Sequence, residues 1–236
     1  MDLPLLEIPN KTWESKYKNL LKDDFLKNKY NRDKRIKDKI SYINNYAPEL
    51  KKSNGLIIDL GPGPGEFLEI CKFYGNDVLG IDSKPGTCGM GEKYLSLSKL
   101  LTQRQKIKVL YEGVNNLLNN KLPLEDNSVF FVNSQGSIEQ IFQDFFIKES
   151  VDFHSGYRYL EWDFNNPNLI PTFTKFISEI KRILVPSGRL LIYGNGTASN
   201  EGTRKYRNML VETINKIGGF EIEFEKNDRL HKFKKI

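Results

Sequence analysis

The sequence predicts an α/β fold: a doubly wound, mostly parallel seven-stranded sheet with an antiparallel C-terminal hairpin and an N-terminal helical appendage. Two observations carry this. After Gly55, short apolar runs alternate with stretches of helical periodicity, the pattern of a buried sheet whose crossovers are helices. The final two runs, "FEIEFE" and "LHKFKK", are instead separated by residues 226–229 alone, which is hairpin spacing.

Residues 1–53 form the appendage, a possible lid, and 54–236 the main domain. The first segment is rich in Lys, Asn and Tyr. Apolar side chains recur at Trp13, Tyr17, Leu20, Leu21 and Phe25, then at Ile36, Ile40 and Ile43, so two amphipathic helices are expected. Their lysines read as solvated faces; a cover over the site or a basic surface for an anionic partner are the alternatives. Pro48 and the Ser53-Asn54-Gly55 turn end the segment. "GLIIDL" (55–60) is the first strand and "EFLEICKFYG" (66–75) a helix stopping at glycine. "DVLGID" (77–82), "IKVLYEG" (107–113) and "SVFFVNS" (128–134) are the next strands, with a helix at 92–104. A helix over 172–185 turns at "PSG" into strand "RLLIYG" (189–194), and a last helix spans 204–220.

The composition excludes little. The chain has 236 residues, and 36 Lys and Arg against 30 Asp and Glu leave a net charge of +6, compatible with an anionic small molecule or with nucleic acid. The positive charge is spread rather than clustered, so nucleic acid is not the expected partner. Two cysteines, Cys71 and Cys88, give no disulfide framework and no zinc spacing, and the start "MDLPLLEIPN" has no secretory pattern; a cytoplasmic location is the expectation. No apolar run approaches the roughly 18 residues of a membrane helix, and no metal site is expected.

The chemistry concentrates in "IIDLGPGPGEF", Ile57 to Phe67. Glycine between the first strand and first helix of such a sheet lets a ligand approach the backbone closely. The spacing is G-x-G-x-G, at Gly61, Gly63 and Gly65, whereas the dinucleotide fingerprint is G-x-G-x-x-G, so a nicotinamide dehydrogenase is disfavoured. Asp59 suits a cationic group better than a pyrophosphate. Asp82 ends the second strand, where an acid accepts hydrogen bonds from ribose hydroxyls. A ribose, an ammonium and no pyrophosphate describe S-adenosylmethionine (SAM).

At these residues the sequence resembles the class I SAM-dependent methyltransferases. Asp59 to Gly65 matches the family's first motif and Gly80-Ile81-Asp82-Ser83 the second. "LPLEDNSVFFVNSQGSIEQI" (122–141) and "ILVPSGRLLI" (183–192) match two more, in order. The resemblance implies that Asp59 and the Gly61-Pro62-Gly63 to Gly65 backbone hold the methionine portion, and that Asp82 holds the ribose with Ser83 beside it. It places Val114 and Asn115 at the adenine, and Asn133 and Ser134 where cofactor meets acceptor. Gln140 stands where relatives carry a histidine, so a base at that place is not expected.

The long segment 141–171 is expected to line the acceptor pocket. His154 has a suitable intrinsic pKa for a base, with Tyr157 beside it; a packing histidine is the alternative. Arg158 and Trp162 are candidates for binding an anionic group and a sugar or base, or for a salt bridge and packing. The expected acceptor is a small polar metabolite, first a hydroxyl on a saccharide or a phosphorylated, nucleotide-linked compound. An RNA or protein methyltransferase using its basic surface, and a non-catalytic partner subunit of this fold, are the alternatives.

Overall fold

The central strands of the sheet are apolar enough to be covered on both faces, and helices cover both, whereas the C-terminal edge strand, 220–226, is mostly exposed. The computed structural model describes residues 32–82, 91–111, 118–119, 121–138, 147–151, 158–162, 165–194, 201–226 and 230–236; for 91–95, 97, 147–151, 158–162, 201–204 and 206–207 it describes the backbone only. In chain order the elements are α1 (Arg32–Tyr46), a 3-10 turn (Pro48–Lys51), β1 (Leu56–Leu60), α2 (Glu66–Phe73), β2 (Asp77–Asp82), α3 (Gly91–Arg104), β3 (Lys108–Tyr111), β4 (Val129–Gln135), β5 (Ile147–Val151), β6 (Arg158–Trp162), α4 (Leu169–Ile183), β7 (Leu184–Tyr193), α5 (Glu201–Ile217), β8 (Phe220–Lys226) and β9 (Leu230–Lys235). Of the two N-terminal helices expected, the second is α1; the first lies outside the described residues.

Seven strands form one sheet in the order β3-β2-β1-β4-β7-β9-β8. β9 runs antiparallel to both neighbours; the other six strands point one way. This is the predicted architecture, hairpin included. Alternate residues of β1 serve opposite faces. Ile58 and Leu60 join the core under α4 and α5, with Phe173, Phe176, Ile180 and Ile214. Ile57 joins the core under α1 and α2, with Ile43, Phe67 and Ile70.

Three details depart from the expected boundaries. α4 begins at Leu169, so Pro171 lies in its first turn, where a missing N–H costs no helical bond. β7 begins at Leu184, but its regular register with β4 starts only at Arg189, after Ser187 at φ 64°. The segment 141–171 contains a two-stranded antiparallel sheet, β5 with β6, pairing Ile147 with Trp162 and Val151 with Arg158. Its polar and charged residues hid that pattern.

Candidate functional site

The sheet changes winding direction between β1 and β4, and the crevice beyond their carboxyl ends is where an open α/β sheet binds ligands. The register puts Asp59 of β1 between Gly80 of β2 and Asn133 of β4. Asp59 is buried, and Asn133 Nδ2 donates to its Oδ1 at 2.7 Å. Among the described residues no other hydrogen bond reaches that carboxylate. Burial pushes its pKa up to about 7, against the pull of the Lys39 ammonium and of the Asn133 amide; Asp82 and Glu66 push the same way as burial.

The glycine loop follows at once. Gly61, Gly63 and Gly65 have φ of 67°, 53° and 84°, a left-handed backbone that L side chains rarely adopt. A Cβ on Gly61 would also run into the Ser137 side chain. The Gly61 N–H donates to Ile81 O at 2.7 Å, which ties the loop to β2. Gly80 has a related purpose. A Cβ there would stand 2.8 Å from Pro62 Cγ, so the missing side chain seats the loop's proline on β2. Asp82, half-buried, ends β2 at the same edge of the crevice.

Helix α1 roofs this corner. Arg32, Arg35, Lys39, Tyr42 and Tyr46 recur at intervals of three and four, which is one face of a helix. Arg32 Nη2 donates to both oxygens of Glu69, at 2.5 and 2.7 Å, and Arg35 Nε to Glu66 Oε1 at 2.7 Å. Lys39 Nζ donates to Gln135 Oε1 at the end of β4. Tyr42 OH donates to Asn133 Oδ1 at 2.9 Å. The Tyr42 hydroxyl therefore fixes which end of the Asn133 amide faces Asp59. The Tyr42 ring stands edge-on to Phe67 and Tyr193, at 6.2 and 5.9 Å, and burial holds its pKa well above the ordinary phenol value. Burial lowers the pKa of Lys39, opposed by Asp59 and Glu66.

Of the expected site residues, Asp59, Gly61, Pro62, Gly63, Gly65, Asp82, Asn133 and Ser134 gather around the ends of β1, β2 and β4. Asn133 has no exposure and is engaged by Asp59 and Tyr42. Ser134 is buried, its hydroxyl accepting the Ile138 N–H at 3.1 Å. Ser83, Val114, Asn115, His154 and Tyr157 lie outside the described residues. Arg158 and Trp162 mark the two ends of β6, which is described by its backbone. Lys39, Tyr42 and Gln135 escaped the sequence reading as site residues, and Gly80 entered it only within the second motif, not as the seat of Pro62. The spacing that joins Lys39 and Tyr42 to Ile36 and Ile43 was the available signal.

Two solved structures share this architecture. The PH0226 protein of Pyrococcus horikoshii OT3 is 15% identical, over 86% of this chain and 91% of its own, with a TM-score of 0.53. A Methanococcus maripaludis protein, described as a candidate SAM-dependent methyltransferase, is 15% identical over 93% of this chain and 92% of its own, with a TM-score of 0.51. No family model matches the chain, and no curated protein matches it in sequence. The chain thus has the fold of these neighbours, one of which is described as a candidate SAM-dependent methyltransferase: a seven-stranded mixed sheet with an antiparallel β9.

Proposed function

We propose that the chain is a SAM-dependent methyltransferase acting on a small polar metabolite. The observation that carries this is the corner where β1, β2 and β4 end: a buried carboxylate, a loop with three left-handed glycines, and a second carboxylate one strand away. Those groups fit the cofactor. Asp59 keeps an oxygen for an ammonium, the left-handed turn at Gly61, Gly63 and Gly65 can present bare backbone to a ligand, and Asp82 suits a ribose diol. When bound, SAM supplies a methyl carbon already activated by a positively charged sulfur. The chain's part is then to align an acceptor with that carbon and to exclude water.

The acceptor is read as a hydroxyl-bearing compound, of saccharide or phosphorylated, nucleotide-linked type. Support for it is in the segment around β5 and β6. Arg158 is assigned to an anionic group and Trp162 to a ring face. His154 and Tyr157, between the two strands in sequence, are assigned to taking the hydroxyl proton. The test is incubation of the protein with SAM and a pooled metabolite extract, followed by mass spectrometry. A product one methyl group heavier, absent without protein and strongly reduced in His154→Ala, is expected. Methylation of added RNA or protein instead, sensitive to salt, would move the acceptor assignment to a macromolecule.

A further inference from the structure

The basic stripe of α1 is unevenly paired. Arg32 and Arg35 each meet a carboxylate of α2, Glu69 and Glu66. Lys39, one turn further along, ends on the neutral amide of Gln135. Among the described residues its ammonium makes no other hydrogen bond and no ion pair. An ammonium has three donors, and a half-buried one is costly to leave under-used. Lys39 is also the principal cation acting on the buried Asp59. Asp59 lies beside Asn133, and Gln135 is two residues further along the same side of β4. One positive and one negative group, on different elements, thus face the same end of the crevice. A simple anion such as phosphate would meet Asp59, Glu66 and Asp82 there. A zwitterion satisfies both signs at once.

We propose that Lys39 binds the α-carboxylate of the cofactor's amino-acid end, so that Lys39 and Asp59 read its carboxylate and ammonium together. This rests on the reading of the crevice as a SAM site. It makes α1 a part of the binding site and Lys39 a specificity residue. Tyr42 is a positioning residue, acting through Asn133.

The test is calorimetric titration of the full chain, wild type and Lys39→Met, with SAM and with decarboxylated SAM, which keeps the ammonium and lacks the carboxylate. Lys39→Met is expected to weaken SAM binding about 10- to 100-fold, the range of a charge-assisted hydrogen bond. Decarboxylated SAM is expected to bind both proteins within about threefold of each other. Lys39→Arg, which keeps the charge, is expected to recover most of the loss and guards against a folding defect in the methionine variant. Equal weakening of both ligands would overturn the proposal and leave Lys39 a counter-ion of the acid cluster. Unchanged binding of both would overturn it as well. If neither ligand binds the wild type, the SAM reading itself falls, and this proposal with it.

Discussion

Asp59 is the residue on which the site turns, because the fold holds it against its own solvation. Its pKa of about 7 against an ordinary 3.8 means that folding favours the protonated form. The sign follows from linkage. Below about pH 4 the acid is neutral folded and unfolded, and its burial costs little. As pH rises toward 7 the unfolded chain releases the proton first, so stability falls, and the full penalty stands above about 7. Binding runs the other way, since an ammonium needs the ionised carboxylate. S-adenosylhomocysteine, the demethylated cofactor, is expected to bind roughly five- to tenfold tighter at pH 7.5 than at pH 6, below the range near 7.7–8.0 where α-amines lose their proton. Calorimetry across that window checks it, and Asp59→Asn should flatten the profile. The same variant is expected to raise the thermal midpoint at pH 8 while weakening the ligand, since it removes an ion the interior solvates poorly. Lys39, Glu66, Asp82 and Asn133 all act on Asp59 from different elements. Of that environment only Glu66 stands in "IIDLGPGPGEF" beside Asp59 itself; Lys39, Asp82 and Asn133 arrive from elsewhere in the chain.

At the scale of elements, the α/β alternation was legible because apolar runs and helical spacing have different periods. The placement of α1 was not. Arg, Lys and Tyr on a helix read as a solvated face when nothing says that carboxylates await them. Here Glu66 and Glu69 sit in the first turn of α2, and that pairing only appears in three dimensions. The β5–β6 pair stayed hidden for a similar reason: strands with charged residues lack the alternation that marks a half-buried sheet. Two substitutions probe the elements. Tyr42→Phe deletes a buried donor and leaves Asn133 Oδ1 unpaired, and should cost about 1–3 kcal/mol in chemical denaturation. Gly61→Ala forces a left-handed backbone on alanine and drives its Cβ into Ser137. It should lose about 1–2 kcal/mol from the backbone alone and abolish detectable cofactor binding.

Over the whole molecule, strand order does what no single motif can: it brings Asp59, Asp82 and Asn133, separated widely in sequence, to one edge. At the far end an ion network of Glu49, Arg189, Glu223 and Lys232 ties the 3-10 turn to β7, β8 and β9, with contacts of 2.7–3.2 Å. At the binding edge Lys39 ends on a neutral amide, while at this end Arg189 and Lys232 each meet two carboxylates. Among the described residues no helix is long and apolar enough to cross a membrane. The most direct test of the cofactor site is a titration of S-adenosylhomocysteine into wild type and Asp82→Ala, with circular dichroism to confirm the fold. Saturable one-to-one binding by the wild type, weakened about 10- to 100-fold by the substitution, is the expected result. Identical affinity in the two proteins would remove Asp82 from the ribose, and absence of binding to the wild type would contradict the cofactor site outright.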